Sequence, residues 1–274
     1  MGPSSRLPHL PPTVIVGFAI IALYAFAAVF AGVIAPYGET QVVAGEFEPW
    51  SSAYWLGTDN LGRDMLSRLL YGARNTVGIA VVTTLLAFAV GGAAGLVAVV
   101  LGGWVDQFFS RLVDVLMAIP QLVFALLLLT ILGTAIPSLV IVIALLDATR
   151  VFRLARAVGM NIVVMDYVEA AKLRGEGWRW LVFHEILPNV MPPLVAEFGL
   201  RFCFVFLTIS ALSFLGIGIQ PPTADWGSMV RDNASLISFG DTTPLLPAAA
   251  IAILTVGVNF VVDWFLHRSS GLKD

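Results

Sequence analysis

Two stretches of this chain place polar side chains where they could do work. Glu197 and Arg201 stand four residues apart inside a long apolar run, a spacing at which a carboxylate and a guanidinium pair along one helix face. Asp166, Glu169 and Lys172 crowd a short segment that ends in Gly175 and Gly177. Neither set is catalytic in kind. The sequence has no Gly-x-x-x-x-Gly-Lys-Ser/Thr phosphate loop, so the chain is not itself an ATPase. His-Glu-x-x-His and Gly-x-Ser-x-Gly are also missing, which removes the common hydrolase signatures. Cys203 is the only cysteine, so an intrachain disulfide or a cysteine-based zinc site is excluded. Met117, Met160, Met165, Met191 and Met229 form no ligand pattern, and His184 has no second His at metal spacing. No catalytic residue, metal ligand or bound cofactor is therefore assigned. These residue types can hold paired charge inside a membrane or present a helix to a partner.

The elements that must position them are set by composition. Of 274 residues, 58% are hydrophobic and 12% are charged, against about 25% charged in a soluble domain. That leaves too little polar surface for a soluble protein, and the net charge of −3 does not suit a nucleic-acid binder. The expected class is an all-α polytopic membrane protein with about six spans, since a bilayer core takes about 20 apolar residues as helix. The apolar runs are 14–35, 76–103, 112–132, 138–146 continuing to 156, 190–219 and 245–266. The first exceeds the length of a signal-peptide core and is read as a retained helix. Gly91 and Gly95 in the second permit a close helix contact. With the N-terminus inside, Arg6, Arg111, Arg150, Arg153, Arg156, Lys172, Arg174, Arg179, Arg268 and Lys273 fall on the inner side. Arg63, Arg68, Arg74 and Arg231 fall outside. That bias puts both termini in the cytoplasm. Two regions follow: 1–75, the first helix with an outer loop, and 76–274, a five-span core with a cytoplasmic loop at about 157–188.

In the outer loop, Thr58 or Asp59 could cap a helix starting near Leu61. Leu61, Met65, Leu66, Leu69 and Leu70 recur at helical spacing, with Arg63, Asp64, Ser67, Arg68 and Arg74 largely on the other side. That predicts an amphipathic helix lying on the membrane or on the protein's own outer face, and a solvated connector is the plainer reading. In the inner loop, Arg150, Arg153 and Arg156 share a face and could snorkel to headgroups. Asp166 could cap a short helix with Glu169 completing a capping box. Ala170 and Ala171 keep that helix slim, and Gly175 and Gly177 end it. A second short helix begins at Trp178 and stops at Pro188. A slim helix tied back by a turn suits docking into another protein's groove. An ordinary helical hairpin is the competing reading.

Here the sequence resembles the coupling segment of bacterial ABC importer permeases: Glu169-Ala170-Ala171, then Gly175, then Ile186-Leu187-Pro188. Three further stretches resemble the dipeptide/oligopeptide/nickel branch, in particular its "C"-type subunits. They are Leu56-Gly57-Thr58-Asp59-Asn60-Leu61-Gly62-Arg63-Asp64, Asp114 to Gln121, and Ala211 to Trp226. The likeness runs from about Leu56 to Gly227. It departs at Glu185, where the pattern has Ile, at Asp147-Ala148, where it has Trp-Pro, and in the last span, where Val262 precedes Asp263. The resemblance implies a type I ABC importer transmembrane fold in a bacterial inner membrane. It implies a second homologous permease subunit, two cytoplasmic ATPases carrying the ATP and Mg, and an extracytoplasmic substrate-binding protein. It also implies a coupling role for Asp166, Glu169, Ala170, Ala171, Leu173, Gly175 and Pro188. Glu197, Arg201, Ser213 and Gln220 are candidates for the pathway or the subunit interface. The expected cargo is a di- or oligopeptide, with nickel complexes and glutathione as alternatives. A secondary transporter or channel remains the remote alternative, and it would leave the docking loop without a purpose.

Overall fold

The computed structural model describes residues 11–269, with side chains described through His267. The basic residues Arg6 and Lys273 and the side chain of Arg268, which the orientation argument counts, lie outside the described residues. The described part is helical. α1 is Pro12–Ile34 and α2 is Met65–Leu101. α3 is Gly103–Met117, α4 Gln121–Leu132 and α5 Ile136–Val163. α6 is Asp166–Leu173, α7 Trp178–Phe214, α8 Trp226–Asn233 and α9 Leu245–Ser269.

α1, α2, α7 and α9 are each long and apolar enough to cross a membrane, and α3 with α4 form a fifth candidate bent by 90°. The bend sits at Pro120, which precedes α4. The residue before a proline is pushed out of the helical region, so one continuous span over 112–132 is not available. α5 has 28 residues, enough to cross, but Asp147, Arg150, Arg153 and Arg156 lower its apolar character. Four or five of the about six expected spans are thus candidates by length and apolarity among the described residues, and α5 is the remaining helix long enough to cross.

Two expectations about helix ends are corrected. The outer-loop helix starts at Met65 rather than near Leu61, and Asp64 caps it. It then runs through a π-helical stretch, Ala73–Val77, into the second span, so the division drawn at residue 75 falls inside one helix. Pro188 likewise does not stop the helix that begins at Trp178. The segment Leu181–Ile186 is π-helical and leads into Leu187–Phe214. A proline lacks the N–H of the normal ladder, and a widened turn just before it lets the helix continue.

The spine of the bundle is the contact of α2 with α5. A Cβ added at Gly91 would run into the carbonyl of Ala148, and one at Gly95 would lie 2.8 Å from the carbonyl oxygen of Phe152. The two backbones touch because these residues have no side chain, the close approach that small residues give membrane helices. α7 supplies the largest core, with Phe202, Phe206, Ile209 and Leu212 buried around Trp226 and Met229 of α8 and Met65 of α2. At the opposite end Leu96, Ala155, Val182, Ile186 and Val190 form a second cluster, beside a smaller one in which Val168 and Ala171 of α6 pack on Leu181.

If this contact is the spine, Gly91→Ala lowers the thermal midpoint of the purified protein in detergent, since overpacking costs about 1–3 kcal/mol. Gly78, whose added Cβ meets nothing within 4 Å, is the control. Gly78→Ala holds or raises the midpoint through its better helix propensity.

Candidate functional site

α6 and its turn are built as a presented surface. Met165 is the residue before the first turn, with extended backbone and no side-chain cap bond. Asp166 is therefore inside the helix rather than its cap, a correction to the expected capping box. Asp166 and Glu169 instead place negative charge in the first turn, where the helix dipole favours it. Gly175 has φ +85°, and the Gly175 and Glu176 N–H groups donate to the carbonyls of Lys172 and Ala171 at 3.0 and 3.2 Å. That pair of bonds is the Schellman end that favours glycine at this position.

Val168 and Ala171 are fully buried against Leu181, with Val100, Ile162 and Val163 around them. The other face carries Tyr167, Ala170 and Leu173, and Leu173 is 84% exposed. Glu169 is also exposed. An apolar residue that touches so little of its own chain is available to a partner. Arg174 approaches Glu185 of α7 at 3.8 Å; both sit near the surface, so this contact adds little stability. Pro188 lies one turn further on, within α7.

At the other end of the bundle the loop motif folds on itself. Gly57 and Gly62 adopt φ +72° and +69°. Thr58 donates its hydroxyl to the Gly45 carbonyl at 2.7 Å and accepts the Glu48 N–H at 2.8 Å. Asp59 accepts the N–H groups of Leu61 and Arg63, both at 2.9 Å, and the Arg63 Nε at 2.7 Å. The Nε of Arg68 stands 3.1 Å from the same carboxylate. Asp64 accepts the Ser67 N–H at 2.8 Å and its hydroxyl at 2.6 Å.

The polar side of this helix is covered as well as its apolar side, where Met65 is fully buried and Leu69 packs on the core. Arg63, Asp64, Ser67 and Arg68 are buried, while Leu61 is exposed. Polar groups are buried here because partners exist for them. Beside Asp59, Arg68 donates to the carbonyls of Glu39 and Pro222 at 3.3 and 3.4 Å.

A second set of contacts, missed in the sequence, locks this loop to α8. One Glu39 oxygen accepts from Asn75 at 2.8 Å and from the Ala224 N–H at 2.6 Å. Thr76 donates to Asp225 at 2.9 Å, and the Trp226 indole donates to the Leu69 carbonyl at 3.0 Å. Asp225 also caps α8 through the Ser228 N–H. Burial pushes its carboxyl above the usual carboxylate range, opposed by these hydrogen bonds. Trp226 lay at the edge of a recognisable motif, but Glu39 stands in no pattern that sequence could flag. Ser213 and Gln220 belong to the same corner. The Ser213 hydroxyl accepts the Ile219 N–H at 3.0 Å, and the Gln220 amide donates to the Gly216 and Gly218 carbonyls.

Between the two ends lies a charge cluster. Arg201 donates to Glu197 at 2.6 Å and also faces Asp147 of α5 at 3.8 Å. Arg150 stands 3.5 Å from the same Asp147 oxygen and hydrogen-bonds Gln121, the first residue after the bend. Asp147 is fully buried, and its second oxygen has no hydrogen-bond partner. The residue that stood out only as a departure from Trp-Pro is thus the centre of a four-charge cluster joining α4, α5 and α7. Arg156 pairs with both oxygens of Asp106 at 2.5 and 2.6 Å. Of the basic ladder expected at lipid headgroups, two members are therefore paired with polar groups of the chain, and Arg153 reaches the Met117 sulfur at 3.7 Å.

Two expected outcomes follow from these contacts. Exchanging Glu197 and Arg201 sets a carboxylate beside Asp147, so the swapped pair stays poorly expressed until Asp147→Asn is added, as read by fluorescence-detected size exclusion. At the loop corner, Asp225→Asn keeps the cap and removes a disfavoured charge, while Asp225→Ala loses the cap. Thermal midpoints should therefore separate the two by about 1 kcal/mol or more, with Asn the more stable. Because burial raises the Asp225 pKa, its contribution to stability is fullest below the ordinary carboxylate range and falls as pH rises through the shifted value. The Asn variant should flatten that part of the pH profile.

Residues 87–270 match the family model described as the binding-protein-dependent transport system inner membrane component. The chain is 34% identical to the dipeptide transport system permease protein of Alkalihalophilus pseudofirmus, over 95% of this chain and 84% of the relative. It is 32% identical to the Haemophilus influenzae dipeptide permease over 95% and 88%. It is also 32% identical to the glutathione transport system permease protein of Pectobacterium atrosepticum over 82% and 72%. The apolar helices and this match over most of the chain agree: the protein belongs to the inner membrane components of binding-protein-dependent transport systems, with the all-helical fold of a type I ABC importer permease.

Proposed function

We propose that the chain forms half of the translocation pathway of an ATP-driven importer for di- or oligopeptides, and that Glu169 to Gly175 dock into a groove on a cytoplasmic ATPase. A second homologous permease completes the pathway. ATP and Mg are held by the two ATPase subunits, and a substrate-binding protein delivers cargo to the end of the bundle where the outer loop meets α8. On this reading α6 and both termini lie in the cytoplasm. The observation that carries it is Leu173, 84% exposed on a helix pinned by Val168 and Ala171 and joined through Gly175 to α7. Closure of the ATPases displaces α6, and α7 carries the displacement into the bundle. The energetic requirement is that ATP and the loaded binding protein favour one conformation over the other. Glutathione, itself a tripeptide, is the second reading, supported by the glutathione permease among the relatives.

The test is reconstitution with the ATPases and the binding protein. Bulk at Gly175 is a poor probe, because any side chain there is strained at its positive φ. Leu173→Asp is cleaner, since Leu173 holds little of its own fold. Its thermal midpoint should equal that of wild type. Ligand-stimulated ATP hydrolysis should fall as expected for losing an interface anchor, about 2 kcal/mol or roughly thirty-fold in docking. Unchanged peptide uptake by this variant would remove the coupling role. Uptake by the chain without any ATPase would favour a secondary transporter.

A further inference from the structure

A groove of about 740 Å³ runs between α2 and α7 at the α6 end of the bundle, from Leu85 to Val97 on one wall and from Trp178 to Phe198 on the other. Its floor is Ala89, Gly92 and Ala93, and its lining is entirely apolar apart from the ring nitrogen of Trp178. An added Cβ at Gly92 would meet nothing within 4 Å, so the floor is open. Twelve residues of helix span about 18 Å at 1.5 Å per residue. Over that length the groove is an apolar slot, open along one side, that extended hydrocarbon chains can fill.

The mouth is polar in a specific way. Trp178 stands at the rim, and the guanidinium of Arg179 lies 5.2 Å from the centre of its ring. Among the described residues no carboxylate comes within ion-pair distance of Arg179. An apolar slot with a cation and a tryptophan at its mouth, where α7 meets the end of the bundle, matches an amphiphile with a negative head. We propose that this groove binds an anionic phospholipid, with its acyl chains along Ala89, Gly92 and Ala93 and its phosphate on Arg179. The site concerns the membrane-embedded wall and does not depend on how α6 engages an ATPase.

The experiment uses the full transporter in nanodiscs of phosphatidylcholine containing a minor fraction of phosphatidylglycerol. A small diazirine amino acid replaces Ala93, and the adducts are identified by mass spectrometry. The expected product is a phospholipid adduct enriched in phosphatidylglycerol over its share of the disc. Arg179→Gln should reduce that enrichment about five-fold, the effect of one basic side chain near an anionic membrane surface, while total lipid adduct stays. Native mass spectrometry of co-purified lipid, comparing Arg179→Gln with the otherwise unaltered chain, gives the same answer without the substitution at Ala93. A cross-link to the second permease subunit, or lipid adducts in the proportions of the disc, would overturn the proposal.

Discussion

An ionised side chain away from water must find its counter-charge inside the protein, and much of this fold is arranged around that requirement. Breaking such a pair from one side costs about 3–5 kcal/mol, because the remaining charge is left buried and unpaired. Asp59 answers Arg63 and Arg68 at one end and Asp147 stands between Arg201 and Arg150 in the middle, while near the other end Asp106 holds Arg156 in a pair that is only partly covered. The middle and inner pairings join different helices, and the outer one reaches further through Arg68 to the carbonyls of Glu39 and Pro222. In a chain with so few charges, these contacts fix which helices are neighbours more sharply than apolar packing, which tolerates many arrangements.

That constraint also explains what could be read in the sequence. Runs of apolar residues locate spans because hydrocarbon demands them, and α1 and α9 fall close to the expected limits. Gly91 and Gly95 signal a close contact because nothing but a missing side chain permits one. Gly175 signals a helix end for the same kind of reason, since its positive φ excludes most residues. These are local demands, visible in a few neighbouring letters.

What remained hidden depends on distant partners. The periodicity at 61–74 shows that a helix has two faces, but not which one is covered. The polar face around Arg68 is covered along with Met65 and Leu69, because the 39–59 segment and the loop before α8 supply carbonyls and a carboxylate that no window around residue 68 contains. Asp147 read as a departure from a family pattern until Arg201, 54 residues away, was placed beside it. Glu197 and Arg201 were legible as a pair because four residues separate them on one helix, while their third member was not. Pro188 misled for a related reason: a proline ends a helix unless the preceding turn widens, and that depends on the π-helical stretch Leu181–Ile186.

The placement of Arg201 gives the proposed coupling a mechanical consequence. α7 begins at the turn after α6 and is continuous for 37 residues, through the π-helical stretch Leu181–Ile186 and past Pro192 and Pro193, so on that proposal a push at Trp178 passes into a single helix. Arg201 sits on that helix opposite Asp147, and Asp147 shares its oxygen with Arg150, which in turn holds Gln121 at the bend. Both contacts to Asp147, at 3.8 and 3.5 Å, are longer than tight ion pairs, and its second oxygen is unused. A carboxylate held between two cations has a free acceptor for either one. Arg150 shares α5 with Asp147 and Glu197 shares α7 with Arg201, so a shift of α7 along its axis would change the Arg201–Asp147 contact without leaving either charge alone in the bundle. On the proposed coupling, counter-charges arranged in that way let the helix move, whereas a single tight interhelical pair would hold it in one place.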